Sequence, residues 1–210
     1  MKHLDPKIYK EGMKLPLVEQ FYSVQGEGFH TGKPAYFIRI GGCDIGCHWC
    51  DSKLTWNPQF HPLVDVKDIV DEVLKTPAQS IVVTGGEPSL YNLDPLCEQL
   101  KKHNIKTYLE TAGTNELTGE WDWICLSPKK QNKPLNVFYD RADELKVIVY
   151  ETDDIKWAEE TSKYVSENCY LFLQPEWSQY KKTIQPIVDY VKQNPKWNVS
   201  LQAHKFMRIP

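Results

Sequence analysis

Short apolar segments separated by polar linkers and amphipathic stretches dominate the chain. Two early segments, 18–23 and 35–40, are rich in aromatic and β-branched residues, a composition typical of strands. The segment 81–84 is a continuous apolar run of the kind that is buried on both faces of a parallel sheet. Further strands are predicted at 105–110, 121–126, 145–149, 170–174 and 197–201.

Four helices are predicted between these strands, at 66–74, from Asp94 onward, at about 154–165 and at about 181–193. Apolar residues in 66–74 recur at i, i+3, i+4, i+7 and i+8, and Asp65 is a suitable N-cap. Pro95 follows Asp94 at a position that favours a helix start. Pro186 inside the last segment predicts a kink or a later start of that helix.

Alternating strands and helices predict crossover connections and a mostly parallel sheet. The helices are too few for a closed eight-fold barrel, and the connection 111–120 barely reaches the ~12 residues that a crossover needs. We therefore expect an α/β fold, an abbreviated and partly open (β/α) barrel of about six mostly parallel strands. With 210 residues and no linker, we expect one domain over 1–210.

Composition excludes several classes of protein. The net charge of −3 supplies no broad positive field, so we expect no nucleic-acid partner. No run approaches the ~18 apolar residues of a membrane span, so we expect no membrane partner. The segment 1–16 is charged and has no apolar core of a signal peptide, which predicts a cytoplasmic protein.

The six cysteines divide into a cluster and three isolated residues. Cys43, Cys47 and Cys50 lie within eight positions, in a Cys-x-x-x-Cys-x-x-Cys arrangement. Cys97, Cys125 and Cys169 are scattered singly, and we expect them to pack in the core as small hydrophobic residues.

Three thiolates on one short loop can hold three corners of a [4Fe–4S] cube and leave the fourth iron open to a ligand. A structural zinc site is the alternative, with His48 or Asp51 as the fourth ligand. Free thiols without a metal are a third reading. Elemental analysis for iron, sulfide and zinc separates the three.

Polar motifs follow the predicted strands at their carboxyl ends, where active sites of parallel α/β folds lie. Glycine in the Gly-Gly-Glu-Pro segment lets backbone approach a ligand closely, and its carboxylate suits an ammonium group. Alone, that segment is equally typical of a plain β-turn. The motifs span 41–51, 85–88, 110–111, 127–129 and 174–176.

The cysteine motif with Trp49 before its last cysteine, followed by Gly-Gly-Glu-Pro, resembles the radical S-adenosylmethionine (SAM) superfamily. Segments along nearly the whole chain are similar to the 7-carboxy-7-deazaguanine synthase family within it. Ser52 stands where many family members have Thr, and both residues offer a hydroxyl. The segments that carry the resemblance are 21–28, 34–39, 42–52, 127–129, 173–175 and 202–210.

The resemblance implies a carbon–nitrogen lyase of 7-deazapurine (queuosine) biosynthesis. Its enzymes convert 6-carboxy-5,6,7,8-tetrahydropterin to 7-carboxy-7-deazaguanine with loss of ammonia, using a [4Fe–4S] cluster, SAM and Mg²⁺. A 5′-deoxyadenosyl radical takes a hydrogen atom from C6 of the pterin, so no residue is expected to act as an acid or base. An electron donor such as flavodoxin and a homodimer are also implied.

The same resemblance assigns residues to each ligand. The cluster is expected on Cys43, Cys47 and Cys50, and Mg²⁺ on Ser52. SAM is expected on Trp49, Cys50, Asp51, Gly86, Glu87, Ser127, Pro128, Lys129, Gln174, Pro175, Glu176 and Trp177. The pterin is expected on Val24, Gln25, Gly26, Glu27, Arg39, Thr84, His204 and Pro210.

Other readings stay open from the sequence. The segment 25–28 is also typical of a tight hairpin turn, and the chain end near Pro210 of a frayed tail. For the whole chain, the alternatives are a glycyl-radical activase that acts on a partner protein and a non-catalytic zinc-binding module.

Overall fold

A twisted sheet of nine strands forms the centre of the molecule in the computed structural model, which describes residues 4–210. The first three residues of the predicted domain lie outside that range. The strands are β1 (Lys14–Val24), β2 (Pro34–Ile40), β3 (Leu63–Asp65), β4 (Ser80–Gly85), β5 (Lys106–Thr111), β6 (Trp123–Leu126), β7 (Glu144–Val149), β8 (Tyr170–Pro175) and β9 (Trp197–Val199). Their order in the sheet is β3-β1-β2-β4-β5-β6-β7-β8-β9.

In the order of the sheet, every neighbouring pair of strands from β2 to β9 is parallel. At the other end of the sheet, β1 pairs antiparallel with both β2 and β3. Helices cross between the parallel strands except between β5 and β6, and the sheet does not close on itself, which confirms the partly open barrel. Seven strands are parallel rather than about six, because the short β9 joins the ladder beside β8.

The helices pack on the sheet through apolar faces that the sequence pattern anticipates. In α2, Val66, Ile69, Val70 and Val73 are all buried. The helices are α1 (Pro6–Glu11), α2 (Val66–Leu74), α3 (Asp94–Lys102), α4 (Asn136–Arg141), α5 (Asp153–Ser162), α6 (Tyr180–Gln193) and α7 (Ala203–Met207). Helices α3 to α6 lie in further connections between strands, while α1 precedes the first strand and α7 follows the last.

The predicted elements agree with the structure except where they are short or contain proline. All eight predicted strands and all four predicted helices are present. The three-residue β3 and the helices α1, α4 and α7, of five or six residues, were missed because they are too short to show a period. Asp65 precedes α2 as expected, but its side chain pairs with Lys14 rather than capping the helix.

Two further expectations concern α6 and the isolated cysteines. A later start of α6 is wrong, because the helix begins at Tyr180 and contains Pro186. Packing of Thr183 and Ile187 in the interior stabilises the helix on both sides of the proline. Cys97, Cys125 and Cys169 are buried, which confirms their place in the core. Among the described residues, no helix has the length and apolarity needed to cross a bilayer.

A core substitution tests the missed helix α4. Phe138 is fully buried, and Phe138→Ala should lower the free energy of unfolding by about 3–5 kcal/mol through lost burial and a residual cavity. Val137, its neighbour on the same helix, is 39 % exposed, so Val137→Ala should change it by at most about 0.5 kcal/mol. Urea denaturation followed by circular dichroism measures both; equal effects would contradict the packing of α4.

Candidate active site

A cavity of about 290 Å³ opens at the carboxyl ends of the parallel strands. All five polar motifs that follow predicted strands contribute to its wall. Every predicted cluster, Mg²⁺, SAM and pterin residue lines this cavity except Pro128. Consecutive residues of an extended segment point to opposite sides, so the buried Pro128 is absent from the wall while Ser127 and Lys129 line it. The structure therefore brings the predicted residues together, and their individual roles stay predictions.

The cysteine loop is fixed at its beginning by hydrogen bonds to neighbouring backbone and side chains. Gly42 N–H donates to the carbonyl of Thr55 at 2.6 Å, and Cys43 N–H donates to that of Trp56 at 3.2 Å. The buried hydroxyl of Tyr91 donates to the carbonyl of Gly41 at 2.7 Å. These bonds hold the start of the loop at the end of β2.

The three cluster cysteines line the cavity as free thiols. Gln131 Nε2 lies 3.3 Å from Cys47 Sγ, and Ser52 N–H donates to Cys50 Sγ at 3.4 Å. Donors of this kind stabilise sulfur that carries negative charge when it binds a metal. Burial raises the pKa of the Cys43 and Cys47 thiols. Metal binding would therefore have to offset the free-energy cost of ionising these thiols.

The cysteine loop supplies three thiols, which is the donor set of a [4Fe–4S] cluster with one open iron. Zinc needs four ligands converging at about 2.0–2.3 Å from one point. Within residues 4–210, no group of three or more His, Cys, Asp or Glu side chains converges in this way. That finding includes the three cysteines, so the cluster is favoured by the number and spacing of the thiols, each of which can bind one iron.

The Gly-Gly-Glu-Pro turn packs directly on the cysteine loop. Gly86 N–H donates to the carbonyl of Ile40 at 2.9 Å, and Glu87 N–H donates to that of Gly42 at 2.7 Å. A Cβ on Gly86 would lie 2.0 Å from the oxygen of Gly42. Contact between the two loops therefore demands glycine here, whatever the cofactor requires.

The carboxylate of Glu87 is 1 % exposed and joins the ends of β4 and β5. It accepts hydrogen bonds from Ser89 N–H at 3.0 Å, from Ala112 N–H at 2.7 Å and from the hydroxyl of Thr111. Burial nevertheless raises the pKa of Glu87. The hydroxyl of Ser89 is a fourth hydrogen-bond partner, so contacts within the protein match the roughly four acceptor positions of the carboxylate.

Residues 25–28 begin the connection between β1 and β2, and Gln25, Gly26 and Glu27 line the cavity. Gln25 pairs through its backbone with Lys33 and Gly32 at 2.9 and 2.8 Å, as in a hairpin connection between β1 and β2. Gly28 N–H donates to Ser200 Oγ at 2.9 Å, and that hydroxyl donates to Gln174 Oε1 at 2.6 Å. A tight hairpin turn at 25–28 is therefore wrong, because the connection runs over residues 25–33 and its turn lies at 29–32.

Arg39 lies on the same side of the cavity. Its Nε donates to Glu19 Oε1 at 2.7 Å across the β1–β2 pair, and its side chain is 25 % exposed. This glutamate is the anionic partner that an arginine between two isoleucines needs. The guanidinium has five N–H donors, so others remain for a ligand carboxylate.

Sequence reasoning missed Lys146, the most buried charged side chain in the cavity wall apart from Glu87. It lies on β7, 3 % exposed, with Nζ 2.8 Å from both Glu27 Oε2 and Glu110 Oε2. The only signal was a lysine inside the apolar strand segment 145–149. A charged residue in such a strand is rarely buried without partners.

Gln202 and Lys205, at the beginning of α7, contact both sides of the cavity, and sequence reasoning did not predict either as a site residue. Gln202 Nε2 donates to Glu27 Oε1 at 3.0 Å and to Asp51 Oδ2 at 3.4 Å. Lys205 Nζ lies 2.8 Å from Asp51 Oδ2. Burial opposes ionisation of Asp51, but the hydrogen bond and charge of Lys205 outweigh it and lower the pKa.

The last residues of the segment remain close to the cavity. His204 packs so closely on Gly26 that a Cβ there would lie 2.3 Å from its Nδ1. Ser23 Oγ donates to the carbonyl of Pro210 at 3.4 Å. His204 and Pro210 both line the cavity, as the resemblance implied.

Comparison with known proteins identifies the family. The model of the Radical SAM superfamily matches residues 37–124. A 7-carboxy-7-deazaguanine synthase of Flavobacterium psychrophilum is 52 % identical over 201 residues, which cover 96 % of this chain and 95 % of that protein. The chain belongs to the 7-carboxy-7-deazaguanine synthase family.

More distant members of the 7-carboxy-7-deazaguanine synthase family match over similar lengths. The protein of that name from Synechocystis is 42 % identical over 92 % of this chain and 93 % of its own. The crystal structure of QueE from Escherichia coli superimposes with a TM-score of 0.83 and 29 % identity, covering 96 % of this chain and all of that one. Membership implies a radical SAM enzyme with a [4Fe–4S] cluster and SAM.

The contacts of Glu87 yield a testable prediction. Glu87→Gln places an N–H group among backbone and hydroxyl donors, so it should lower the free energy of unfolding by about 1–3 kcal/mol. It should also weaken SAM binding, since the ends of β4 and β5 would shift. Thermal unfolding and equilibrium dialysis measure the two effects. The control is Glu116→Gln, at an exposed carboxylate that follows β5. Equal stability and equal SAM affinity of the two variants would contradict the role of Glu87 in joining the ends of β4 and β5.

Proposed function

We propose that this chain is a 7-carboxy-7-deazaguanine synthase, a radical SAM carbon–nitrogen lyase. It would convert 6-carboxy-5,6,7,8-tetrahydropterin to 7-carboxy-7-deazaguanine with loss of ammonia. The observation that supports this most strongly is that the thiol loop and the Glu27–Lys146–Glu110 group line one cavity. A reactive species formed beside the thiols would therefore reach a substrate held by the charged group.

Cys43, Cys47 and Cys50 would hold the cluster, which with SAM supplies a 5′-deoxyadenosyl radical. Trp49 and Trp177 offer aromatic faces on the cofactor side, and Lys129 Nζ lies 5.9 Å from the centre of the Trp49 ring. Glu176 accepts from Gln179 N–H at 3.2 Å and thereby fixes the turn that carries Trp177. These groups would orient the cofactor and exclude water from the radical.

The pterin would lie between the hairpin loop and β2. Its carboxylate matches the free N–H groups of Arg39, because a guanidinium binds a carboxylate with forked geometry. Its pyrimidinone edge offers N–H groups, and the carboxylates of Glu27 and Glu110 can accept hydrogen bonds from them. Gln25 and the backbone of residues 24–26 supply complementary groups, with Thr84 between the two ligands.

Mg²⁺ would complete the substrate side. Ser52 Oγ lies 3.2 Å from Asp51 Oδ1 on the cavity wall, so a hydroxyl oxygen is available there. Mg²⁺ prefers oxygen and keeps several waters, so one protein ligand suffices when the substrate supplies others.

The remaining parts of the proposal concern the protein's surroundings. One domain over 1–210 is proposed from the chain's length, and the resemblance implies a homodimer and an electron donor such as flavodoxin. Six free cysteines suit a reducing compartment, which favours the cytoplasm.

Anaerobic turnover tests the proposed function. Reconstituted protein with SAM, reductant, Mg²⁺ and the carboxypterin should give 7-carboxy-7-deazaguanine, identified by mass spectrometry. Cys43→Ala, Cys47→Ala and Cys50→Ala should each abolish SAM cleavage, because an incomplete thiolate set cannot hold the cluster. Cys97→Ala, buried outside the cavity, should retain the cluster spectrum and product. SAM cleavage by any of the first three variants at the parent rate would contradict the assignment.

The Mg²⁺ site has its own test. Ser52→Ala should reduce the stimulation of turnover by Mg²⁺ and leave the cluster absorption unchanged, because only the hydroxyl ligand is lost. Ser52→Thr keeps a hydroxyl and should behave like the parent. Full Mg²⁺ stimulation of Ser52→Ala in steady-state assays would assign Ser52 to the loop structure alone.

A further inference from the structure

Lys146 joins three separate elements beneath the cavity. The lysine belongs to β7, Glu27 to the hairpin loop after β1, and Glu110 to the end of β5. Both Nζ–Oε2 distances are 2.8 Å, with the lysine side chain 3 % exposed and the carboxylates 19 % and 20 % exposed. The ammonium is therefore sealed from solvent while both carboxylates reach the cavity.

The charges do not balance within this group. One ammonium faces two carboxylates, so removing it would leave two like charges together in a largely buried site. The second oxygen of Glu27 accepts from Gln202 Nε2 at 3.0 Å, and that of Glu110 lies 3.5 Å from Gln25 Nε2. Neutral amides supply no charge, so Lys146 is the cation that forms ion pairs with both carboxylates among the described residues.

Other titratable groups face the pair from every side. Glu144 lies on the same strand as Lys146, and burial raises its pKa to about 7. Cys125 faces the pair from β6, His204 from α7 and Asp51 from the cysteine loop. His204 can become a cation, and burial lowers its pKa. Lys129 is a further cation that faces Lys146 and Cys125 from the segment after β6, and burial lowers its pKa as well.

The ionised state of the pair matters for the ligand that we assign to the cavity. A pyrimidinone edge with an amino group presents N–H donors. An ionised carboxylate only accepts hydrogen bonds, whereas a protonated one presents a donor. A proton on either glutamate would therefore place a donor against a donor and weaken binding.

We propose that Lys146 is a positioning residue that keeps Glu27 and Glu110 ionised and aligned as paired acceptors for the N–H edge of the pterin. This inference rests on the proposed function. Burial opposes ionisation of Glu27, but the charge and hydrogen bond of Lys146 lower its pKa to about 2, which agrees with that role. The same acidic neighbours raise the pKa of the buried Lys146 well above its usual value, so it stays charged.

The test compares Lys146→Met with the parent over a series from mildly acidic to mildly alkaline pH. Two quantities are measured: the KM for the pterin during turnover, and the Kd of fluorescent 6-carboxypterin without SAM. At neutral pH, Lys146→Met should raise both about 10-fold or more, the effect of losing a hydrogen bond to a charged group. Both should fall as pH rises, because a shared proton leaves the glutamate pair, and kcat should change less.

Three further variants separate positioning from mere stability. Lys146→Arg keeps a cation and should retain the parent's pH profile. Lys146→Met with Glu110→Gln removes the repulsion, so this double variant should fold where the single one does not. The affinity of the double variant for 6-carboxypterin should also rise with pH, and the midpoint of this rise should lie at a lower pH than in Lys146→Met. Lys101→Met, which breaks an exposed ion pair with Glu120 away from the cavity, should match the parent.

Each outcome decides something different. The charge of Lys146 also lowers the pKa of Glu144, so the profiles are compared in a Glu144→Gln background, in which this carboxyl group cannot titrate. Parent-like affinity, or weak binding with the parent's pH profile, in Lys146→Met and in the double variant would overturn the inference. A parent protein that neither binds 6-carboxypterin nor turns over the carboxypterin would instead defeat the proposed function.

Discussion

The parallel register of seven strands, β2 and β4 to β9, is the constraint on which the rest of the structure depends. Parallel strands that share a ladder all end at one edge, so loops far apart in sequence meet there. The pairing of Arg39 with Thr84 and of Ile148 with Gln174 shows how the register sets neighbours along this edge. The cysteine loop and the Gly-Gly-Glu-Pro turn touch because they follow the adjacent strands β2 and β4.

Two groups of side chains line the cavity, one assigned to each ligand. Lys129 and the three thiols occupy the side assigned to the cluster and SAM, while Lys146 and its two glutamates occupy the side assigned to the pterin. Gln202 bridges the sides through Glu27 and Asp51. The hydrogen-bond network of α7 therefore fixes both walls at once, which suits a reaction between two bound molecules.

Much of this arrangement could be predicted from sequence. Buried strands such as 81–84 and amphipathic helices such as 66–74 carry strong local patterns, and the cysteine motif shows its chemistry in its spacing. The roles of Gly86 and Glu87 within the protein could not be predicted, because both depend on contacts with loops distant in sequence. Lys146 was missed for the same reason, since its partners come from two other elements.

The central claim is that one cavity brings a radical generated at the cysteine loop to a pterin held by Arg39, Glu27 and Glu110. Turnover of the carboxypterin labelled with deuterium at C6 tests it most directly, with the mass of the 5′-deoxyadenosine formed as the measurement. We predict that the 5′-deoxyadenosine gains deuterium and that 7-carboxy-7-deazaguanine forms along with it. Unlabelled 5′-deoxyadenosine from an otherwise active preparation would contradict the shared cavity.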